Sequence, residues 1–115
     1  MLEDNYLGRQ IDVVTRMLSM LLLKRDVNDI AGPDDGLTRE LNTLLTIRDI
    51  GGAEDLLFDY LDVDASQEVL AAAIAFYRRL NNMRDAELHK GGFSREEILE
   101  GLEEIKGIFG VESDL

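Results

Sequence analysis

The chain has 115 residues, of which 45% are hydrophobic, with no cysteine, no tryptophan, one histidine and one proline. That length and apolar content suit one domain around a single core, and the missing thiols exclude disulfides, thiolate metal sites and thiol nucleophiles. Twelve Lys and Arg against 24 Asp and Glu leave a net charge of -12, which repels phosphate backbones and anionic lipid, so neither nucleic acid nor a membrane is an expected partner. The opening Met1-Leu2-Glu3-Asp4 is acidic where a secretory signal would be basic, and the greasiest run, Met17 to Leu23, is interrupted by Ser19 and too short to span a bilayer. A cytoplasmic location is therefore expected.

Apolar residues recur at helical spacing along almost the whole chain and no stretch alternates with period two for long, so the chain reads as all-α, a compact array of about five helices and one short extra turn. The first helix is expected over about 4–26 with Asp4 as its N-cap. Leu7, Ile11, Val14, Leu18 and Leu21 form a four-three stripe along it. Val13, Met17 and Met20 form a second stripe beside the first, widened by Leu22 and Leu23, which is more apolar surface than one core-facing side requires. Residues 1–31 carry five acidic and four basic side chains, whereas 32–68 carry ten and two, so a near-neutral apolar helix precedes an acidic belt.

The turn formers Ala31-Gly32-Pro33-Asp34-Asp35-Gly36 lead to a second helix over 37–49, with Leu37, Leu41, Leu44 and Leu45 on one face and Gly51-Gly52 as its terminator. A third helix over 53–61 is expected to bury Leu56, Leu57, Tyr60 and Leu61 and to present Asp55, Asp59 and Asp62 as an acidic row. Phe58 falls between Glu54 and Asp62 on the helical wheel and needs another helix or a partner to cover it. The fourth helix, over 65–82, starts from a capping box with Asp64 as cap and Gln67 at N3, and carries Val69, Leu70, Ala73, Ile74, Phe76, Tyr77 and Leu80 inward. Asn81 and Arg84 break that register, which places a joint near Asn81-Asn82 and a short helix over about 84–90.

The only histidine lies in Leu88-His89-Lys90-Gly91-Gly92-Phe93-Ser94, and each residue there has a structural role. His89 and Lys90 place positive charge at a helix C-terminus, and Gly91 or Gly92 supplies a left-handed residue to close it. Ser94 and Glu97 have capping-box spacing, and Phe93 and Ile98 the spacing of a hydrophobic staple at the head of a last helix over 94–109. Asp85 and His89 share a face and suit an ion pair. A metal site would need two further soft or imidazole ligands that the chain lacks. The calcium-loop pattern from Asp62 fails at Gln67 and Ala73, and Asp34-Asp35 offers at most a weak cation turn. No P-loop, dinucleotide fingerprint or nucleophile elbow occurs, so no cofactor, metal or catalytic residue is assigned. The one positive cluster, Arg78, Arg79 and Arg84, is expected to pair with the acidic belt or with the last helix.

Four segments carry a resemblance over nearly the whole chain: Asp4-Asn5-Tyr6-Leu7-Gly8-Arg9-Gln10-Ile11, Glu54-Asp55-Leu56-Leu57-Phe58, Ala75-Phe76-Tyr77 and Phe93-Ser94-Arg95-Glu96-Glu97-Ile98. Together they resemble a small all-helical family, a domain of unknown function, of Gram-positive and often gut-dwelling bacteria. The resemblance implies a cytoplasmic bacterial protein and brings no catalytic residues. Separately, Ala73, Ile74, Tyr77 and Leu80 are similar to the second helix of a tetratricopeptide repeat, which implies stacked antiparallel helix pairs, although the 34-residue period is not met.

The expected function is a non-enzymatic protein-protein interaction module that self-associates as a homodimer through Val13, Met17 and Met20, or binds another protein. Two alternatives stand beside it. One is a small metal-dependent enzyme or hydrolase using Asp85, His89 and nearby carboxylates. The other is an acidic adaptor that holds a basic peptide at Asp55, Phe58, Asp59 and Asp62.

Overall fold

In the computed structural model, which describes residues 2–27 and 36–111 with side chains from Tyr6 onward, every regular element is helical. These are α1 (Leu2–Leu18), a π-helical turn (Ser19–Leu23), α2 (Gly36–Thr46), α3 (Ile50–Val63), α4 (Gln67–Asn81), α5 (Asp85–Lys90) and α6 (Arg95–Ile108). Helix α4 is the hub: α1, α2, α3, α6 and the π turn all pack on it, while α1 also lies along α6 and α2 along α3. Its sequence explains the position. Val69, Leu70, Ala72, Ala73, Ile74, Phe76, Tyr77 and Leu80 are all buried, an apolar arc wider than one face, so α4 has to be enclosed. The small Ala72 and Ala73 allow neighbours close approach, and the rings of Phe76 and Tyr77 meet edge to face at 5.0 Å.

A hydroxyl and a carboxylate tie α4 to two of those neighbours. Tyr77 is fully buried and donates through its hydroxyl to Glu54 Oε2 of α3 at 2.6 Å. Gly101 of α6 covers the bond: a Cβ there would sit 2.1 Å from the Tyr77 oxygen and 2.8 Å from Glu54 Oε2. A glycine in a helix interior lowers helix propensity, and here close approach requires it.

The C-terminal end of the first helix departs from the expected pattern. It stops being α-helical at Leu18, winds through the π turn and leaves at Lys24, which is left-handed with φ 57°. Buried Ser19 organises this exit. Its carbonyl accepts from the N–H groups of Lys24 and Arg25, and its hydroxyl donates to the Arg25 carbonyl. From α4, Gln67 adds a bond to the Leu22 carbonyl at 3.2 Å. The wider π turn shifts the register by part of a residue per turn, and Leu21, expected on the inner stripe, is 52% exposed. Ile11, Val14 and Leu18 are buried as expected and Leu7 is half-buried.

Other boundaries also move. Gly51 and Gly52 do not terminate the second helix; α2 ends at Thr46, Arg48 takes φ 62°, and the glycines form the first turn of α3. The Asp49 carboxylate accepts from the Gly52 N–H at 3.0 Å, and a Cβ on Gly52 would strike that carboxylate, so the pair is a start signal. On α3, Leu57 and Leu61 are buried and Leu56 is half-buried, but Tyr60 is 38% exposed and not a core residue. The cap of α4 is Ser66, accepting from Val69 N–H at 3.2 Å, and not Asp64, which caps the end of α3. Leu2 is already helical, so Asp4 lies within the first turn of α1. The turn 31–35, with Asp34 and Asp35, lies outside the described residues.

Gly101→Ala should destabilise the protein by about 1–3 kcal/mol in urea unfolding, because the added methyl group cannot fit beside the Tyr77 hydroxyl. Gly107→Ala, in the same helix with nothing within 4 Å of its Cβ, should be neutral or stabilising by up to about 1 kcal/mol. Equal effects at the two sites would mean that Gly101 is not a packing constraint.

Candidate functional site

Large apolar side chains are exposed along α1 and the π turn that follows it. Tyr6 is 61% exposed and Val13 52% on α1, and Met20, a further seven residues on in the π turn, is 56% exposed. Gln10 lies between the first two and donates to the Tyr6 hydroxyl at 2.9 Å. Met17, from the same expected stripe, is half-buried and packs against the core, so it forms the edge of the face and not its centre. Exposed Leu21, turned outward by the π turn, joins Met20 at the end of the row. Tyr6 was absent from the sequence-based stripe, although the repeat Tyr6, Val13, Met20 was there to be read.

On α3, Asp55, Asp59 and Asp62 are exposed as expected. Phe58 is half-buried and packed against the core, so neighbouring elements cover it and the acidic row lacks the free aromatic ring expected beside it. Tyr60 is the aromatic side chain that α3 does expose.

The segment around His89 is a joint. Gly92, with φ 70°, is the left-handed residue that follows α5, and His89 is exposed at its last turn. Ser94 accepts from the Glu97 N–H at 3.2 Å, and its hydroxyl donates to the Glu97 carboxylate at 3.1 Å, while Phe93 and Ile98 are both buried. Across this joint Asp85 pairs with Arg95 of α6. Arg95 also donates to the carbonyls of Asn81 (3.2 Å) and Met83 (2.7 Å), and the Asn81 amide donates to the Gly8 carbonyl at 3.1 Å, so α1, α4, α5 and α6 meet here. Sequence reading passed over Arg95 because nothing local shows that its guanidinium reaches back ten to fourteen residues. An open groove of about 410 Å³ runs beside the joint, lined by Leu7, Asp85, Leu88, His89, Phe93 and Arg95. Among the described residues, no group of three or more His, Asp or Glu side chains is placed to hold a metal ion.

The Glu54 carboxyl titrates above its ordinary range. Burial raises it above the ordinary glutamate value of 4.5, the Tyr77 bond opposes this, and the negative charges of Glu104, Glu97 and Asp55 add to the rise. Burial and the same contact push the Tyr77 hydroxyl well above its ordinary range. Gly101 packs over the Tyr77–Glu54 bond too closely for a methyl group, so the contact is part of the packing between α3, α4 and α6.

A family model matches residues 1–110, which span every helix from α1 to α6. The chain belongs to DUF6483, a family of unknown function. No curated protein and no solved structure matches it. DUF6483 is described without an activity, so a functional reading rests on the surfaces of this fold. No helix among the described residues is long and apolar enough to cross a membrane.

Two measurements follow from these local networks. For the joint, Arg95→Ala should cost about 2 kcal/mol because it strands the carbonyls of Asn81 and Met83; Ser94→Ala should cost about 1 kcal/mol and His89→Ala least of all. An unfolding series in which His89→Ala is the largest loss would contradict the joint. For Glu54, the raised folded value means that the unfolded chain binds fewer protons between 4.5 and that value, so this group's stabilisation is full below the window and lost as pH rises through it. Glu54→Gln, which keeps an acceptor for Tyr77, should gain stability relative to the wild type as pH rises from 4.5. A difference that stays constant with pH would remove the raised carboxyl from the account.

Proposed function

We propose that the protein is a non-enzymatic interaction module that pairs with a second copy of itself through the outer face of α1. The row of Tyr6, Val13 and Met20, each more than half exposed, carries this reading. It lies in the segment of the chain where acidic and basic residues nearly balance, in a molecule of net charge -12. Like charges discourage two copies from meeting across the acidic belt, whereas burying the α1 row removes apolar area from water at a small electrostatic cost. The seven-residue repeat suits packing against another helix. The same proposal takes a Gram-positive bacterial source and a cytoplasmic location from the resemblance of the sequence.

Met17 packs partly against the core, so the substitutions that separate pairing from folding are Val13→Glu and Met20→Glu. Each would bury an unpaired carboxylate on association, which costs several kcal/mol and raises the dimer dissociation constant by about 100-fold or more. In sedimentation equilibrium, the wild type should be a dimer and both variants monomers with unchanged helical circular dichroism. A wild type that stays monomeric at the highest concentration, or variants that remain dimeric, would refute pairing through α1.

A further inference from the structure

The helices fall into two groups that meet along one seam. Helices α1 and α6 lie along each other and both pack on α4, while α2 and α3 lie along each other as a helical hairpin that reaches the rest of the molecule chiefly across α4. Directional bonds tie the first group together. Arg78 of α4, expected to meet the acidic belt, donates instead to Asp12 Oδ1 of α1 at 2.8 Å. The Asn81 amide donates to the Gly8 carbonyl at 3.1 Å, and Gln67 donates to the Leu22 carbonyl at 3.2 Å.

The seam is built otherwise. On the hairpin side Leu41, Leu45, Ile50, Leu57 and Leu61 are buried, an apolar contact without a fixed direction. It is also incompletely filled: an open groove of about 300 Å³ runs between α2 and α4 at Leu41, Ala72 and Phe76, and another of about 250 Å³ lies at Leu45, Ile50 and Met83. Side-chain hydrogen bonds cross the seam where Arg79 donates to Asn42, an exposed pair, and where Tyr77 donates to Glu54 from a fully buried hydroxyl. The second bond is made against its surroundings. Burial, and after it the charges of Glu104 and Glu97 on α6 and of Asp55 on α3, oppose the ionised form of the Glu54 carboxyl that accepts it.

We propose that α2 and α3 undock from α4 together, as one hinged unit, while α1, α4 and α6 stay folded, and that the Tyr77–Glu54 hydrogen bond is the latch. Parts of a protein that open below the free energy of global unfolding coincide with supersecondary motifs that make few buried contacts with the remainder, and this hairpin is such a motif. Asp64 and Ala65, non-helical and exposed, give the unit a pivot beside α4. Opening uncovers Ala72 and Phe76 of α4, which are buried in the closed molecule, and returns Glu54 to water. The closed unit holds the Glu54 proton more tightly than the open one, so closure is strongest below 4.5 and weakens as pH rises through the raised value.

The test is amide hydrogen exchange on the full chain, followed residue by residue and corrected for the intrinsic exchange rate at each pH. The amides of Leu41, Leu45, Leu57 and Leu61 should share one opening equilibrium, larger by about tenfold or more than that of Ile11, Ile74 and Leu102. Asp12→Asn weakens a tie that undocking leaves intact, so it should speed the second set several-fold and leave the first unchanged. Tyr77→Phe removes the latch and should speed the first set by about tenfold. From pH 4.5 upward the opening of the first set should grow by as much as about tenfold per pH unit and then level off, and Glu54→Gln should abolish that rise. The proposal is overturned if the two sets share one opening equilibrium, if Asp12→Asn speeds both alike, or if Tyr77→Phe leaves the first set unchanged.

Discussion

The hydrogen bond from Tyr77 to Glu54 ties α4 to α3 with its hydroxyl fully buried and its carboxylate half-buried, and a directional bond in that place constrains how the two helices can sit. A buried hydroxyl and a half-buried carboxylate are costly when apart, so any sliding of α3 along α4 is opposed by both desolvation penalties at once. Gly101 extends the constraint to α6, because only a residue without a side chain can pass over the bonded pair. Around those helices, α2 packs on α3 and α4, and α1 lies across α4 and α6.

That hierarchy explains why α1 keeps an unused face. A central helix would be covered all round, and α4 holds that position with its wide apolar arc. Helix α1 is peripheral: Ile11, Val14 and Leu18 go inward, Asp12 and Thr15 meet Arg78, and Tyr6, Val13 and Met20 are left toward solvent. The π turn at its end adds Leu21 to that side while Ser19 and Gln67 hold the turn in place. The apolar excess of the first helix therefore has a structural origin, and the pairing proposed above would bury it.

Periodicity was enough to read most of the helices and much of the core, because Ile11, Val14, Leu18, Leu41, Leu45, Leu70 and Ile74 are buried by their own local spacing. The break at Asn81-Asn82 and the staple of Phe93 with Ile98 were equally readable, since both depend on short-range chemistry. What could not be read depends on distant groups. The π turn is held by Gln67, 45 residues beyond Leu22, and Glu54 looks like any surface glutamate until Tyr77, 23 residues away, is placed on it. Gly51-Gly52 was misread because glycine marks either end of a helix, and only the Asp49 cap decides which. Candidate surfaces were read with the same limits: Val13 and Met20 from spacing, and the partial burial of Met17 and Phe58 only from the neighbours that cover them.

The central claim is that one hydroxyl under one glycine sets the register of α3, α4 and α6, and a double-mutant cycle between Tyr77→Phe and Gly101→Ala tests it most directly. Removing the hydroxyl relieves part of the clash that the new methyl group creates, so the two losses in unfolding free energy should be less than additive by more than about 0.5 kcal/mol. Losses that simply add would show that Gly101 and the Tyr77 hydroxyl act independently, and the clasp at the centre of this fold would have to be abandoned.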